Sequence, residues 1–313
     1  MQRIAARIDY YLGVDATEVH VDIPVIDITG KHEGPTLVLI GGLHGDEYEA
    51  TAAIIRVCQE IDPAQLYGRV ISIPIGNPLA CSAQSRTTPR WYDGKNLARS
   101  FPGDPSGSPT LRIADRIWKF ILQNCDSNGL ILDLHSGGQH YSYEHMAGVR
   151  NLLIDSPQSI ASMQAARAMM IENLWLIEPT PGTLSTVAIA SGIPAIACEM
   201  EGRGGLNHED VSKYLDSIKN IMKFKGNTFG GEAKLGVGKF SETITVQCKK
   251  SGFASYLPEN LSVVREGEVI CKIINPFGVV VENVLAPCSG VVWASRTNPS
   301  VGIDEIIALI KVS

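Results

Sequence analysis

The feature that most limits the fold of this chain is a set of four apolar, strand-like runs, each followed by polar or glycine-rich residues. The runs are residues 35–40, 70–75, 130–134 and 193–198. The first leads into the turn Gly41-Gly42-Leu43-His44-Gly45-Asp46-Glu47, which carries a histidine and a glutamate three positions apart. Because ligands of open α/β sheets lie at the carboxyl ends of the strands, we expect these polar residues to meet at one sheet edge.

Segments with helical periodicity alternate with these runs. They are residues 48–61, 112–125, 156–173 and 210–224. The alternation predicts an α/β fold with a mixed, mainly parallel sheet and helices on both faces. Short alternating segments within residues 1–34 favour antiparallel strands at the edge of that sheet. Residues 79–110 are rich in arginine, proline, serine and glycine, and we predict a functional loop there.

The pattern changes after a linker-like stretch at residues 225–232. Short strand-like segments follow, and residues 264–273 resemble residues 301–310, which suggests a small all-β sandwich of the lipoyl or biotinyl carrier type. The turn at residues 275–278 has no lysine to carry a prosthetic group, so a structural or subunit-contact role is favoured. We therefore predict a catalytic domain at residues 1–228 and a β-sandwich domain at residues 229–313.

Charge and composition limit the partners. The net charge of −6 and the pI near 5.7 argue against nucleic acid or an anionic membrane as a partner. The amino terminus lacks the apolar core of a signal peptide, and no run approaches the ~20 apolar residues of a membrane span, so we expect a cytoplasmic protein. The seven cysteines include no Cys-x-x-Cys pair, which favours reduced thiols over disulfides or a cysteine-bound zinc.

Two histidines and a glutamate form the candidate metal site. His44, Glu47 and His135 supply two imidazoles and a carboxylate, a set that leaves one coordination position of zinc open for water. The long separation between Glu47 and His135 fits a site closed across neighbouring strands. The His-x-x-Glu spacing is weak evidence by itself, because a surface histidine beside a first-turn glutamate favoured by the helix dipole gives the same pattern.

Three further carboxylates lie near these positions. Glu199, at the end of its run, is placed to act as general base and acid in amide hydrolysis, a role worth about 10²- to 10⁴-fold. Asp133 either orients the imidazole of His135 or forms an ordinary strand-end hydrogen bond, and the pattern favours neither. Glu201 is a rival to Glu199, since alternation puts both on one side of an extended strand.

Six motifs in order resemble the succinylglutamate desuccinylase/aspartoacylase family, a branch of the zinc carboxypeptidase superfamily. They are residues 42–47, 77–78, 86–89, 93–104, 133–138 and 194–199. The C-terminal β-region also looks like the one that family members carry, so the resemblance covers nearly the whole chain. It implies a zinc carboxypeptidase-like catalytic fold followed by that β-domain.

The resemblance also implies an activity and a set of roles. The reaction is removal of the acyl group from an N-acylated amino acid or a similar small amide. The roles are one zinc ion held by His44, Glu47 and His135, proton transfer by Glu199, polarisation of the scissile carbonyl by Arg86, and substrate binding by Arg99 and Asn77. Arginine suits a substrate carboxylate because its planar fork binds both oxygens.

Two departures from the family pattern bear on the substrate. Ala98-Arg99 stands where the family has the Asn-Arg pair that grips a carboxylate, so one donor is missing. More residues than in relatives also separate Arg86 from Asp93. We therefore expect carboxylate recognition to be weaker or altered.

Other functions are weighed against the deacylase. A metallocarboxypeptidase acting on peptides and a non-catalytic binding protein that keeps the fold both stay open. The absence of Gly-x-Ser-x-Gly and of a phosphate-binding loop disfavours a serine hydrolase and a nucleotide enzyme. The expected partner is a small N-acyl amino acid-like molecule, and a homo-oligomer formed through the C-terminal domain is compatible with the sequence.

Overall fold

One large mixed sheet organises the protein. The computed structural model describes residues 5–16, 19–228 and 231–312. Its strands are β1 (Ala6–Ala16), β2 (Val19–Thr29), β3 (His32–Ile40), β4 (Tyr67–Ile73), β5 (Leu130–Ser136), β6 (Tyr141–Tyr143), β7 (Met146–Arg150), β8 (Asn173–Ile177), β9 (Ala195–Met200), β10 (Phe240–Gln247), β11 (Gly252–Ala254), β12 (Val263–Val264), β13 (Val269–Ile274), β14 (Val280–Leu285), β15 (Gly290–Arg296), β16 (Ser300–Val301) and β17 (Ile306–Val312). Thirteen strands form the sheet β1-β2-β4-β3-β5-β9-β7-β8-β10-β17-β15-β12, with β6 paired to β15.

The sheet is parallel at its centre and antiparallel at its edge. Strand β3 pairs in parallel with β4 and β5, and β5 pairs in parallel with β9. The β1–β2 hairpin is antiparallel and lies at the sheet edge, as the alternating amino-terminal segments predict. The carboxyl ends of β3, β5 and β9 therefore meet on one side, where the sequence places its polar residues.

Helices cover both faces of this sheet, which confirms the predicted α/β fold. They are α1 (Glu49–Glu60), α2 (Pro78–Ser82), α3 (Pro109–Asn124), α4 (Pro157–Ala168), α5 (Leu184–Ala190) and α6 (His208–Lys225). Side chains of β3 alternate between two cores: Leu37 and Leu39 pack with α1, α4 and α6, while Val38 and Ile40 pack with α3 and α5. None of these helices combines the length and the apolar character needed to cross a lipid bilayer.

One helix prediction is wrong at its end. The pattern at residues 156–173 predicts a single helix, but α4 ends at Ala168. The chain reverses at Met170, whose φ of 56° is left-handed, and Asn173 already begins β8. Met169 and Ile171 are buried, so their apolar side chains continue the helical pattern after the helix itself has ended.

The C-terminal strands form the expected all-β sandwich and also extend the large sheet. The second sheet, β14-β13-β11-β16, packs on β10, β15 and β17 around a shared apolar core. Strand β10 pairs in parallel with β8, so backbone hydrogen bonds connect the sandwich to the α/β part. The division at residues 228 and 229 stays a prediction. The turn after β13 holds Asn275 and Phe277, and no lysine lies at its tip.

Candidate active site

Three polar side chains meet at the carboxyl ends of β3 and β5. His44 and Glu47 lie in the turn between β3 and α1, and His135 lies near the end of β5. His44 Nδ1 is 2.6 Å from Glu47 Oε1, and His135 Nδ1 is 2.8 Å from Glu47 Oε2. All three residues are buried, and one ligand atom from each lies within 4.8 Å of the others. The structure thus brings together the three residues that the sequence proposes as ligands.

Glycine makes the turn after β3 possible. Gly42 has a φ of 60°, a left-handed conformation that glycine adopts without strain. A Cβ atom at Gly45 would lie 2.0 Å from the carbonyl carbon of Ala80, so any side chain there would push α2 away. The backbone that carries His44 and Glu47 is therefore held tightly against α2.

The outer nitrogens of both imidazoles face oxygen atoms. His44 Nε2 is 3.1 Å from Asn96 Oδ1, and His135 Nε2 is 3.0 Å from Asp133 Oδ1. The second contact is an ion-pair approach rather than an aligned hydrogen bond, since Asp133 Oδ1 has no hydrogen-bond partner among the described residues. Both contacts favour a proton on Nε2, which leaves each Nδ1 free to bind a cation.

The carboxylates of Glu47 and Asp133 favour positive charge at this cluster. Burial, helped by the charge of Arg86, lowers the pKa of His44 to about 4, so this imidazole is neutral at pH 7. Burial disfavours the charge on Glu47, but the two imidazoles outweigh it and lower the pKa of Glu47. Burial likewise opposes the charge on His135, yet the carboxylates of Asp133 and Glu47 raise the pKa of His135. Two imidazoles and one carboxylate are a zinc-type donor set with a position left open.

Glu199 and Arg86 border this cluster. Glu199 lies directly opposite His135 in the β5–β9 pairing. Burial raises the pKa of Glu199 to about 8, and its buried Oε2 has no hydrogen-bond partner in the described ranges. Arg86 Nη1 is 2.8 Å from Glu47 Oε1. Glu201, the rival carboxylate, instead pairs with Arg203 at 3.0 Å and does not line the site.

The cluster opens into a cavity of about 390 Å³. Such a volume suits a small molecule, since ligand pockets typically span roughly 300–1,000 Å³. The α/β part contributes His44, Arg86, Ala98, Arg99, Asp133, His135, Tyr141, Tyr143, Arg150, Trp175, Ile177, Glu178, Thr180, Thr183, Ala197 and Glu199. The C-terminal strands contribute Thr243, Ile244, Thr245, Ala294, Ser295, Ile306, Ala308 and Leu309. The C-terminal region is therefore part of the cavity wall, in addition to the structural role that its sequence predicts.

Asn77 lies elsewhere. It is fully buried, caps α2 by accepting from Ala80 N, and donates from Nδ2 to Thr88 Oγ1 at 3.1 Å. It does not line the cavity, so its amide supports the loop that carries Arg86 rather than facing the open space. The substrate-binding role suggested for Asn77 stays a prediction, and this placement does not favour it.

Sequence reasoning missed two polar residues of the site. Asn96 Oδ1 faces His44 and also accepts from Ala98 N, which fixes the start of the short 3-10 helix Leu97–Arg99. Asparagine is a common residue at the start of a helix, and this preference is the sequence signal that could have pointed to Asn96. Arg150 ends β7 and lines the cavity, but no local pattern distinguishes a strand-end arginine that faces a cavity from one that faces solvent.

Comparisons with known proteins identify the relatives of this chain. The model of the succinylglutamate desuccinylase/aspartoacylase catalytic domain matches residues 33–225. An N-alpha-acetyl-L-2,4-diaminobutyric acid deacetylase of Halomonas elongata is 31% identical over 299 residues, covering 93% of this chain and 85% of the relative.

Solved structures show the same fold over the whole chain. The product-bound ectoine utilization protein EutE from Ruegeria pomeroyi has a TM-score of 0.87 at 24% identity, covering 99% of this chain and 96% of that protein. A succinylglutamate desuccinylase/aspartoacylase from Rhodobacter sphaeroides has a TM-score of 0.85 at 25% identity, covering 99% and 97%. With its catalytic region matched throughout, this chain belongs to the succinylglutamate desuccinylase/aspartoacylase family.

Proposed function

We propose that this chain is a zinc-dependent deacylase that hydrolyses the amide bond of small N-acyl amino acids. The observation that carries the proposal is the buried group of His44, Glu47 and His135 beside a small cavity that His44, His135 and Glu199 line. His44 and His135 would hold zinc through Nδ1 and Glu47 through its carboxylate. Bound zinc supplies a Lewis acid that lowers the pKa of a water from about 15.7 to about 7.

Glu199 is the residue proposed to move protons. Its raised pKa, near 8, places it close to neutral pH, where a group both accepts and returns a proton efficiently. It would take a proton from the attacking water and pass it to the nitrogen of the departing amine. The unpartnered Oε2 atom fits this role, because no described residue competes for the proton.

Arg86 is proposed to polarise the scissile carbonyl. Its guanidinium contacts Glu47 through Nη1 and lies 5.5 Å above the ring of Tyr141, so its position is fixed from two sides. A fixed cation beside the carbonyl oxygen stabilises negative charge that develops there during attack. Arg99, which lines the same cavity, is proposed to bind a carboxylate of the substrate.

The relative from Halomonas elongata suggests the first substrate to test, N-alpha-acetyl-L-2,4-diaminobutyrate. The cavity volume favours a small amide over a peptide. The carboxypeptidase alternative is therefore the weaker one. Short peptides nevertheless belong in the same assay, since they separate the two activities directly.

The test is metal analysis and hydrolysis measured on the same preparation. Protein purified without chelator is expected to hold about one zinc per chain, the number that a single three-residue site with an open position binds. His44→Ala is expected to lose both zinc and turnover. His208→Ala removes an exposed imidazole outside the cavity and serves as the matched control.

Three results would contradict the proposal. Zinc content that does not differ between His44→Ala and the parent protein would remove the metal assignment. Faster hydrolysis of short peptides than of acyl amino acids would favour the carboxypeptidase. Binding of acyl amino acids by zinc-loaded protein without any hydrolysis would favour the binding-protein alternative.

A further inference from the structure

The cavity has an uncompensated positive charge at Arg99. The neighbouring Ala98 is 3% exposed and lines the cavity, and its methyl group cannot donate the hydrogen bond that the family's asparagine supplies. Arg99 Nη1 donates to the carbonyl oxygen of Ala98 at 2.9 Å. No carboxylate pairs with Arg99 within the described part of the chain. A substrate carboxylate held by Arg99 alone would therefore have fewer donors than in relatives.

A second guanidinium lies in the same cavity. Arg150 is only 7% exposed and lines the cavity from the end of β7. Its Nε donates to Ser185 Oγ at 2.8 Å, and its Nη1 donates to the carbonyl oxygen of Glu178 at 3.2 Å. Both acceptors are neutral, and among the described residues no carboxylate neutralises this buried cation. Buried charges are ordinarily paired with an opposite charge, and Arg150 is an exception to this rule.

The hydrogen bonds of Arg150 orient the side chain without saturating it. Guanidinium has five N–H donors, and the hydrogen bonds to Ser185 and Glu178 occupy one on Nε and one on Nη1. The donors that remain have no acceptor in the described ranges. A side chain fixed at its base with free donors toward a cavity is prepared to bind an anion bidentately.

The charges around Arg150 also require an anion. Burial, followed by the positive charge of Arg99, lowers the pKa of Arg150 to about 10, so it stays charged at pH 7. Asp133 acts on Arg150 from a distance, and its Oδ1 atom lies 3.0 Å from His135 Nε2. Two like charges that line one small cavity repel each other unless a negative group lies between them.

We propose that Arg150 and Arg99 together bind the carboxylate of the substrate, and that Arg150 supplies from β7 the hydrogen-bond donors that Ala98 lacks. This inference rests on the proposed function, since it names the part of an acyl amino acid that the cavity selects. The substrate class is therefore an N-acyl amino acid with a free carboxylate, rather than one whose carboxyl group is blocked.

The test compares a carboxylate with its neutral amide. The ligands are the N-acyl amino acid that the parent enzyme hydrolyses fastest, or N-alpha-acetyl-L-2,4-diaminobutyrate if it hydrolyses none, and the corresponding primary amide. Both are titrated calorimetrically into zinc-loaded Glu199→Gln protein. Arg150→Gln is added to that background, and Arg167→Gln is the matched control, because Arg167 also donates to backbone carbonyls but lies outside the cavity.

The expected result is selective. Arg150→Gln should weaken binding of the carboxylate form by at least about 10-fold and binding of the amide by less than about 3-fold, because only the carboxylate pairs with the removed charge. Arg150→Lys keeps the positive charge but lacks the planar guanidinium that binds both carboxylate oxygens. Its loss of affinity for the carboxylate form should therefore be intermediate. Ala98→Asn in the Arg150→Gln background should recover part of the preference, whereas Arg167→Gln should change neither ligand.

Other outcomes separate this inference from the proposed function. Equal weakening of both ligands by Arg150→Gln, or of neither, would overturn the carboxylate assignment even if the parent enzyme hydrolyses acyl amino acids. Selective weakening without hydrolysis by the parent would support the carboxylate site and overturn the deacylase. If neither ligand binds, the carboxylate assignment is wrong, and the deacylase is wrong as well where the parent hydrolyses no acyl amino acid.

Discussion

The two groups of charges in the cavity differ in how far the protein neutralises them. In the group around Glu47, each imidazole nitrogen and Arg86 has an oppositely charged or polar neighbour within 3.1 Å. In the group formed by Arg99 and Arg150, the hydrogen-bond acceptors among the described residues are all neutral oxygens. The first group is fixed in place before any ligand arrives. In the second group, hydrogen bonds orient the Arg150 guanidinium but leave some of its N–H donors unoccupied.

This difference corresponds to two kinds of occupant. A resident metal ion favours ligands held rigidly by outer contacts, since these contacts set the tautomer and the orientation of each imidazole. A substrate that binds and leaves requires donors that are oriented but unoccupied, because each internal partner would have to be displaced at every turnover.

The largest effect is expected for Glu199→Gln. Loss of the carboxylate removes the proposed proton acceptor but no zinc ligand, so turnover should fall by about 10²- to 10⁴-fold while zinc content stays unchanged. Single-turnover hydrolysis and metal analysis measure the two quantities. Glu201→Gln is the matched control because Glu201 pairs with Arg203 outside the cavity. Normal hydrolysis by Glu199→Gln would mean that another group moves the proton.

A smaller effect is expected for Asp133→Asn. This change keeps the shape of the side chain but removes the charge that faces His135 Nε2, so zinc affinity should fall by about 10- to 100-fold. Competition with a chelator of known affinity measures it. Asp155→Asn, at an exposed position, should have no effect. Unchanged zinc affinity in Asp133→Asn would show that Asp133 makes only an ordinary strand-end contact.

The smallest effect is a pH dependence of the metal-free protein. Burial raises the pKa of Glu199 to about 8 from 4.5, so the folded state holds a proton that the unfolded state releases between these values. This contribution to the free energy of unfolding is complete below pH 4.5 and is lost as the pH rises toward 8. Glu199→Gln should therefore lose less stability than the parent between pH 5 and pH 8. Urea unfolding in the presence of chelator measures both slopes, and parallel slopes would contradict the prediction.

The sequence predicts those parts of the site whose positions follow from the general properties of parallel sheets. His44, Glu47, His135 and Glu199 follow or end strands that lie side by side, and the carboxyl ends of such strands meet whatever the rest of the fold does. Their meeting could be inferred without coordinates. The predicted order of strands and helices succeeds for the same reason, since apolar periodicity reports local burial.

The parts that the sequence does not reveal depend on contacts between distant segments. Asn96 reaches His44 only because the loop after α2 folds back over the turn. Arg150 lines the cavity four residues after Met146, which pairs with Glu199 because β7 runs antiparallel to β9, and no nearby residue predicts that strand direction. The C-terminal residues of the cavity wall, such as Thr243 and Leu309, depend on the pairing of β10 with β8.

The parallel pairing of β8 with β10 brings the C-terminal strands into the wall of the cavity. The groups proposed to break the amide lie before residue 200, whereas much of the opposite wall comes from strands after residue 239. Substitutions on these strands, in the last quarter of the chain, are therefore expected to change which amides fit the cavity while leaving the groups proposed to break the amide in place.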